Sequence, residues 1–243
     1  MRKKLQALGV GELPFFRNRG GEILRIEAFS DAVFAFAVTL LVVSLEVPKS
    51  FEELIEVMRG FPSFAICFSL LILLWYQHYK YFRMFGLEDI TVLVLNCALL
   101  FVILFYVYPL KFLFGALVHM VLGGHPSVDQ RSVTEISAQQ MPTLMIVYGI
   151  GFASVYCLYG LLYLHAYRKR AQLELDDTEG LVAKGCVQEN FLLGGIGLLS
   201  IAVALTNSAY SVVASGFVYW LIPIVTMIHG SRTGAKVRAS RNH

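Results

Sequence analysis

Charge is what this sequence has least of. Asp, Glu, Lys and Arg make up only 15% of its 243 residues, against about a quarter in an ordinary water-soluble protein. With 57% hydrophobic residues and a mean hydropathy of +0.65, that deficit excludes a soluble globular fold, because apolar surface on this scale has nowhere to go in water. Cysteine is sparse too. Cys67, Cys97, Cys157 and Cys186 fall on or beside separate helices without C-x-x-C spacing, a pattern that points to buried free thiols and away from disulfides or a fixed metal site. No H-E-x-x-H, G-x-S-x-G, phosphate-binding loop or convergent carboxylate pair is present, so an enzyme is the least supported class. No cofactor is expected. Met1–Gly21 carries Arg2, Lys3, Lys4, Arg17 and Arg19 but no apolar core before a cleavage site, so it is expected to be retained rather than removed as a signal peptide. Leu5–Val10 and Leu13–Phe16 are expected to lie along the membrane surface.

What the chain does have is long apolar runs. A bilayer's hydrocarbon core is about 30 Å thick and takes roughly 20 helical residues to cross. Six stretches qualify, near Ile23–Glu46, Phe61–Tyr81, Ile90–Tyr108, Pro142–Tyr167, Val187–Thr206 and Tyr210–His229. The third can continue through Pro109 towards Leu122, since proline can kink a membrane helix without ending it. The expected fold is therefore an all-α integral membrane protein. It divides into an N-terminal segment at 1–21, a six-helix domain at 22–230 and a basic tail at 231–243.

Basic residues orient it. Fifteen Lys and Arg fall on the side of the two termini and four on the other, with Arg25 left aside inside the first helix. By the positive-inside rule both termini are expected in the cytoplasm. The net charge of +3 reflects this orientation and gives no reason to expect nucleic-acid binding. Ser50-Phe51-Glu52-Glu53 has capping-box spacing and predicts a short amphipathic helix to Met58 on the outer surface. Gly123–Gln140 reads as an outer loop, and Arg168–Lys184 as a solvated inner linker. Small residues recur as Gly149-x-x-x-Ala153 and Gly194-Gly195-Ile196-Gly197, which predicts close helix packing.

The first helix is the unusual one. Arg25 and Glu27 lie near its cytoplasmic boundary, and Asp31 lies about two turns further in, where an ionisable group costs ~2.5–3.5 kcal/mol. At 100° per residue, Phe36, Leu40 and Val43 stay within roughly 60° of one another, with Thr39 flanking them, while Asp31 is about 140° from Phe36. If that apolar stripe lines a pore, Asp31 should point into neighbouring helices and hydrogen-bond there. Ordinary helix packing explains the same stripe.

Arg25-x-x-x-Phe29-Ser30-Asp31, opening the first of six helices, resembles the signature of the transmembrane protein 175 family of potassium channels. Trp75-x-x-His78 and Asn96-x-x-x-Leu100 with Pro109 are similar to that family's pattern in the second and third helices. The resemblance implies a homotetramer in a bacterial plasma (inner) membrane, with the first helices around a central pore for monovalent cations. It implies that apolar rings serve as gate and filter, the constriction falling at Phe36, with Thr39 one turn on and Leu40 and Val43 as further pore positions. Permeating K+ would be cargo, and proton permeation is allowed. Arg25, Ser30, Asp31, His78 and Asn96 would form an inter-helix polar network bracing the first helix. One position departs: the family usually has isoleucine or leucine where this chain has Phe36. Four phenyl rings would either seal the axis more tightly or stack aside and leave another ring narrowest. The rival class is a proton-coupled secondary transporter relaying protons through Asp31 and His78.

Overall fold

The structure is a computed structural model in which residues 16–43, 49–122, 140–206 and 210–241 are described, and all regular structure among them is helical. In chain order the helices are α1 (Arg25–Val43), α2 (Phe51–Arg59), α3 (Phe61–Phe85), α4 (Ile90–Leu122), α5 (Met141–Arg168), α6 (Asp177–Ala204), α7 (Ser211–Phe217) and α8 (Leu221–Arg241). A single 3-10 turn, Val218–Trp220, joins α7 to α8. The helices α3, α4, α5 and α6 and the α7–α8 rod are each long and apolar enough to cross a bilayer. With α1, about 28 Å long at 1.5 Å per residue, the chain has six crossing segments. The outer loop expected at Gly123–Gln140 lies outside the described residues apart from Gln140. The surface segments expected at 5–10 and 13–16 also lie outside them, apart from Phe16.

Several boundaries differ from the sequence reading. The fourth crossing segment is followed by a short turn at 169–176 rather than a linker reaching Lys184, because Asp176 caps α6 early. Its carboxylate accepts from the Glu179 N–H (2.7 Å) while Glu179 reaches back to the Asp176 N–H (3.2 Å), so the helix starts ten residues before Val187. The last crossing segment is interrupted by the 3-10 turn, and its final helix runs on through Gly230 to Arg241, so residues 231–241 continue a helix instead of trailing as a tail. α4 passes through Pro109 without breaking. Tyr148 on α5 donates to the Pro109 carbonyl (2.6 Å). Among the cysteines, Cys67 and Cys186 are buried free thiols, but Cys97 is exposed on the outside of α4.

Packing explains the order. α5 and α6 meet at their small residues: a Cβ on Gly197 would lie 3.0 Å from the Ala153 nitrogen and 3.1 Å from the Gly149 carbonyl, so only glycine lets the two backbones approach this closely. The inner half of the core is aromatic, built on Tyr81, Phe82 and Phe85 of α3 against Tyr159 and Tyr163 of α5. Phe101, Phe105, Trp220 and Met227 are large, apolar and exposed, which water would penalise and lipid does not. Among the described residues α1 packs chiefly against α3 and α4, and its other face is exposed.

The approach to α1 is fixed by a strap. Arg19 and Gly20 donate backbone N–H groups to the Arg83 carbonyl at the end of α3, and Arg83 Nη1 donates to the Gly20 carbonyl (2.7 Å). The strap lies backbone to backbone: a Cβ on Gly20 would sit 2.5 Å from the Phe82 oxygen, and Gly86, left-handed at φ 57°, ends α3 against Arg19. Arg19 then reaches the buried Glu179 of α6 and the carbonyls of Leu173 and Glu174. Residues 16–21 are thus docked, with Phe16 packed edge-on to Phe85 (5.5 Å).

Candidate functional site

α1 has two unlike faces. Ile26, Glu27, Ser30, Phe34, Ala37 and Leu41 are buried, and their spacing of three and four residues makes one continuous stripe against α3 and α4. The opposite face carries Ala28, Ala32, Ala35, Phe36, Thr39 and Val42, all exposed. In its N-terminal half Ala28 and Ala32 lie beside the exposed Arg25 and Phe29, and in its C-terminal half Phe36, Thr39 and Val42 are exposed. The Thr39 hydroxyl donates to the Phe36 carbonyl (2.7 Å), which satisfies it inside its own helix and presents its methyl outward.

Of the pore residues expected from the sequence, Phe36 is 56% exposed and Thr39 is exposed, both on the uncovered face. Leu40 sits at its margin, partly buried against the core. Val43 ends the helix, and its side chain lies outside the described residues.

The polar residues separate into two sets. Ser30, Asn96 and His78 form a buried relay across α1, α4 and α3: Asn96 Nδ2 donates to Ser30 Oγ (2.8 Å), and Ser30 Oγ donates to the Ile26 carbonyl (2.8 Å). His78 Nε2 lies 2.8 Å from Asn96 Oδ1, and because a carbonyl oxygen can only accept, Nε2 carries the proton. The ring is held between Phe34 of α1 (5.6 Å) and Phe82 (4.7 Å), and its Nδ1 is buried without a partner. Asp31 belongs to the second set. It accepts from Trp75 Nε1 on α3 (2.8 Å), yet it is exposed at the edge of the uncovered face instead of pointing into the bundle. At 100° per residue Asp31 is a quarter-turn from the buried stripe, so only a long donor such as Trp75 reaches it. Arg25 and Phe29 are exposed on α1 and make none of the relay's hydrogen bonds.

Sequence reasoning overlooked Phe34, which closes the histidine's pocket from α1, and named Glu27 without its burial in the first turn of α1, near the Leu24 N–H (3.4 Å). A period of three to four from Ser30 would have found both. It also overlooked Gln77, which donates to Asn190 of α6 (2.7 Å), where no spacing links residues so far apart. Among the described residues no group of three or more His, Cys, Asp or Glu side chains converges as a metal site.

Residues 25–106, from the start of α1 into α4, match the family described as endosomal/lysosomal potassium channel TMEM175. A relative from Marivirga tractuosa named as a potassium channel is 40% identical over 243 residues, covering 98% of each chain. The chain belongs to the TMEM175 family. A crystal structure of a threonine-to-alanine variant of the potassium channel MtTMEM175, in complex with a nanobody fusion protein, superposes with a TM-score of 0.83 at 38% identity. It covers 93% of this chain and all of that one. A homologue, from Chamaesiphon minutus, of the lysosomal potassium-selective channel TMEM175 shares the fold at a TM-score of 0.54 and 22% identity, over 84% of this chain and 96% of that one. The TMEM175 family and these relatives are ion channels and not enzymes. Within the family frame, the relay at Ser30, Asn96 and His78 fastens one face of α1 and leaves the Phe36 face free.

Proposed function

We propose that this chain is the subunit of a homotetrameric potassium-selective channel in which the uncovered face of α1 from four copies surrounds the ion path. The observation that carries it is the asymmetry of α1: a packed, polar-braced face towards α3 and α4, and a face of Ala32, Phe36 and Thr39 left exposed among the described residues. Four such faces can cover one another about an axis. Apolar rings at Phe36, Leu40 and Val43 would gate and filter by resisting hydrated ions, which favours K+ because it sheds water more readily than Na+. No cofactor is required, and K+ is cargo. The chain would sit in the bacterial inner membrane with both termini cytoplasmic, as the fifteen basic residues on that side favour.

A proton-coupled transporter needs Asp31 and His78 on one proton path. Asp31 is bonded to Trp75 and His78 to Asn96, with no hydrogen bond between the two sets. The test is purified protein in planar bilayers, with reversal potentials read under K+, Na+ and proton gradients. Discrete single-channel steps reversing near the K+ equilibrium potential are expected. Stepless flux strictly coupled to the proton gradient would overturn the channel reading.

A further inference from the structure

On the side of the bundle that carries the strap, α3, α6 and α8 enclose an open cleft of about 480 Å³. Lys80 enters it from α3, Glu189 from α6, and His229, Gly230, Gly234 and Arg238 from α8. Neither Lys80 nor Arg238 has a hydrogen-bonded or ionic partner among the described residues, and Glu189 is the single carboxylate in the lining. Cations at a membrane boundary can simply reach into water. Here they converge instead on a concave site between three helices.

The glycines add an independent observation. Gly185 of α6 is needed for packing, since a Cβ there would lie 2.8 Å from the Thr233 methyl of α8. Gly230 and Gly234 are different. A Cβ on either meets nothing within 4 Å, so none of the described residues occupies the space beside them. Each costs an interior helix about 1 kcal/mol relative to alanine. They are one turn apart on the wall of the cleft, between His229 and Arg238. Just before them α8 exposes Ile224, Met227 and Ile228, an apolar stretch of its surface.

We propose that this cleft binds the phosphate-bearing headgroup of an anionic lipid. Lys80 and Arg238 hold the phosphate, the open faces of Gly230 and Gly234 admit it, and the acyl chains lie along Ile224, Met227 and Ile228. A lipid is favoured over a free phosphate because α8 exposes Met227 and Ile228 within one helical turn of Gly230. Basic pockets between helices on the cytoplasmic side select such headgroups in this way.

The test uses the full chain, purified in detergent and loaded with phosphatidylglycerol or phosphatidylcholine, with lipid retention counted by native mass spectrometry. Phosphatidylglycerol should be kept in preference to phosphatidylcholine. Lys80→Gln combined with Arg238→Gln should weaken retention by about 25-fold, from roughly fivefold per charge. Gly234→Leu leaves both charges in place and projects into the space where a Cβ meets nothing within 4 Å, and it should displace the lipid equally. Both variants should elute at the wild-type volume on size exclusion. Retention of phosphatidylglycerol unchanged in Gly234→Leu would overturn the proposal, as would equal retention of the two lipids. Displacement by millimolar inorganic phosphate would overturn the lipid as the source of the anion. None of these readouts depends on conduction, so they stand or fall apart from the channel reading.

Discussion

Glu179→Ala removes the residue on which the strap before α1 depends. Its carboxylate accepts from the Arg17 N–H (2.6 Å), the Asp176 N–H (3.2 Å) and both Nη atoms of Arg19. The two side chains of the ion pair are only 12% and 4% exposed, so this pair is not a screened surface contact. Removing one partner of a buried pair costs about 3–5 kcal/mol. Arg19 keeps the carbonyls of Arg17, Leu173 and Glu174, which places the loss near the lower end, about 3 kcal/mol. For a chain of this length that is a fall in melting temperature of roughly 6–12 °C. The assay is tryptophan-fluorescence melting of the purified protein in detergent, run on Glu179→Ala, Arg19→Ala and the double variant. The cycle should give a coupling of at least about 2 kcal/mol. Glu174→Ala is the control, since its contact with Arg17 spans 3.8 Å between side chains 67% and 84% exposed, and it should cost under about 0.5 kcal/mol. Melting of Glu179→Ala within a degree of wild type would refute the reasoning.

Other consequences follow from single contacts. Asn96→Leu should destabilise by about 1–2 kcal/mol in the same melt. It strips the partner from the His78 Nε2–H and from Ser30, though hydrogen bonds between membrane helices are individually modest. Gly20→Ala should cost about 1–3 kcal/mol, because its Cβ would press on a backbone oxygen that has little room to yield. Asp89, in the turn between α3 and α4, is linked to pH. Burial would raise its carboxyl, but hydrogen bonds from His165 (2.8 Å) and Lys169 (3.0 Å) outweigh that and hold it well below the usual carboxylate range. A depressed folded-state value adds stability that is present above about pH 4 and is lost as pH falls further through the folded value. Melts taken downward from pH 5 should therefore decline less steeply in Asp89→Asn than in wild type.

The helix interiors were legible because twenty apolar residues in a row have one physical solution. The third crossing segment was readable even across Pro109. The ends were harder. Asp176-Asp177-Thr178-Glu179 is a capping box in plain sight, but its charge density reads equally as a linker, and only the burial of Glu179 against Arg19 decides for a helix. Helix α8 was expected to stop at His229, where its apolar surface stops, yet hydrogen bonding carries it to Arg241. In the site, helical spacing separated Phe36 from Asp31, and the family resemblance supplied the polar set. Which polar residues pair was not legible: Ser30 and Asp31 are adjacent, but 100° of rotation sends one to Asn96 and the other to Trp75. The docking of Arg19 on Glu179 joins residues 160 apart, and no local pattern announces it.

The central claim is that the uncovered face of α1 lines the ion path, and thiol block of single-channel current tests it most directly. Cysteine is placed at Thr39 or at Phe34 in a background where the exposed Cys97 is serine, and a cationic thiol reagent is applied during recording. Modification of Thr39→Cys should abolish or strongly reduce the current, while Phe34→Cys, buried against His78, should be untouched. Full current through modified Thr39→Cys would contradict the account and move the ion path off α1.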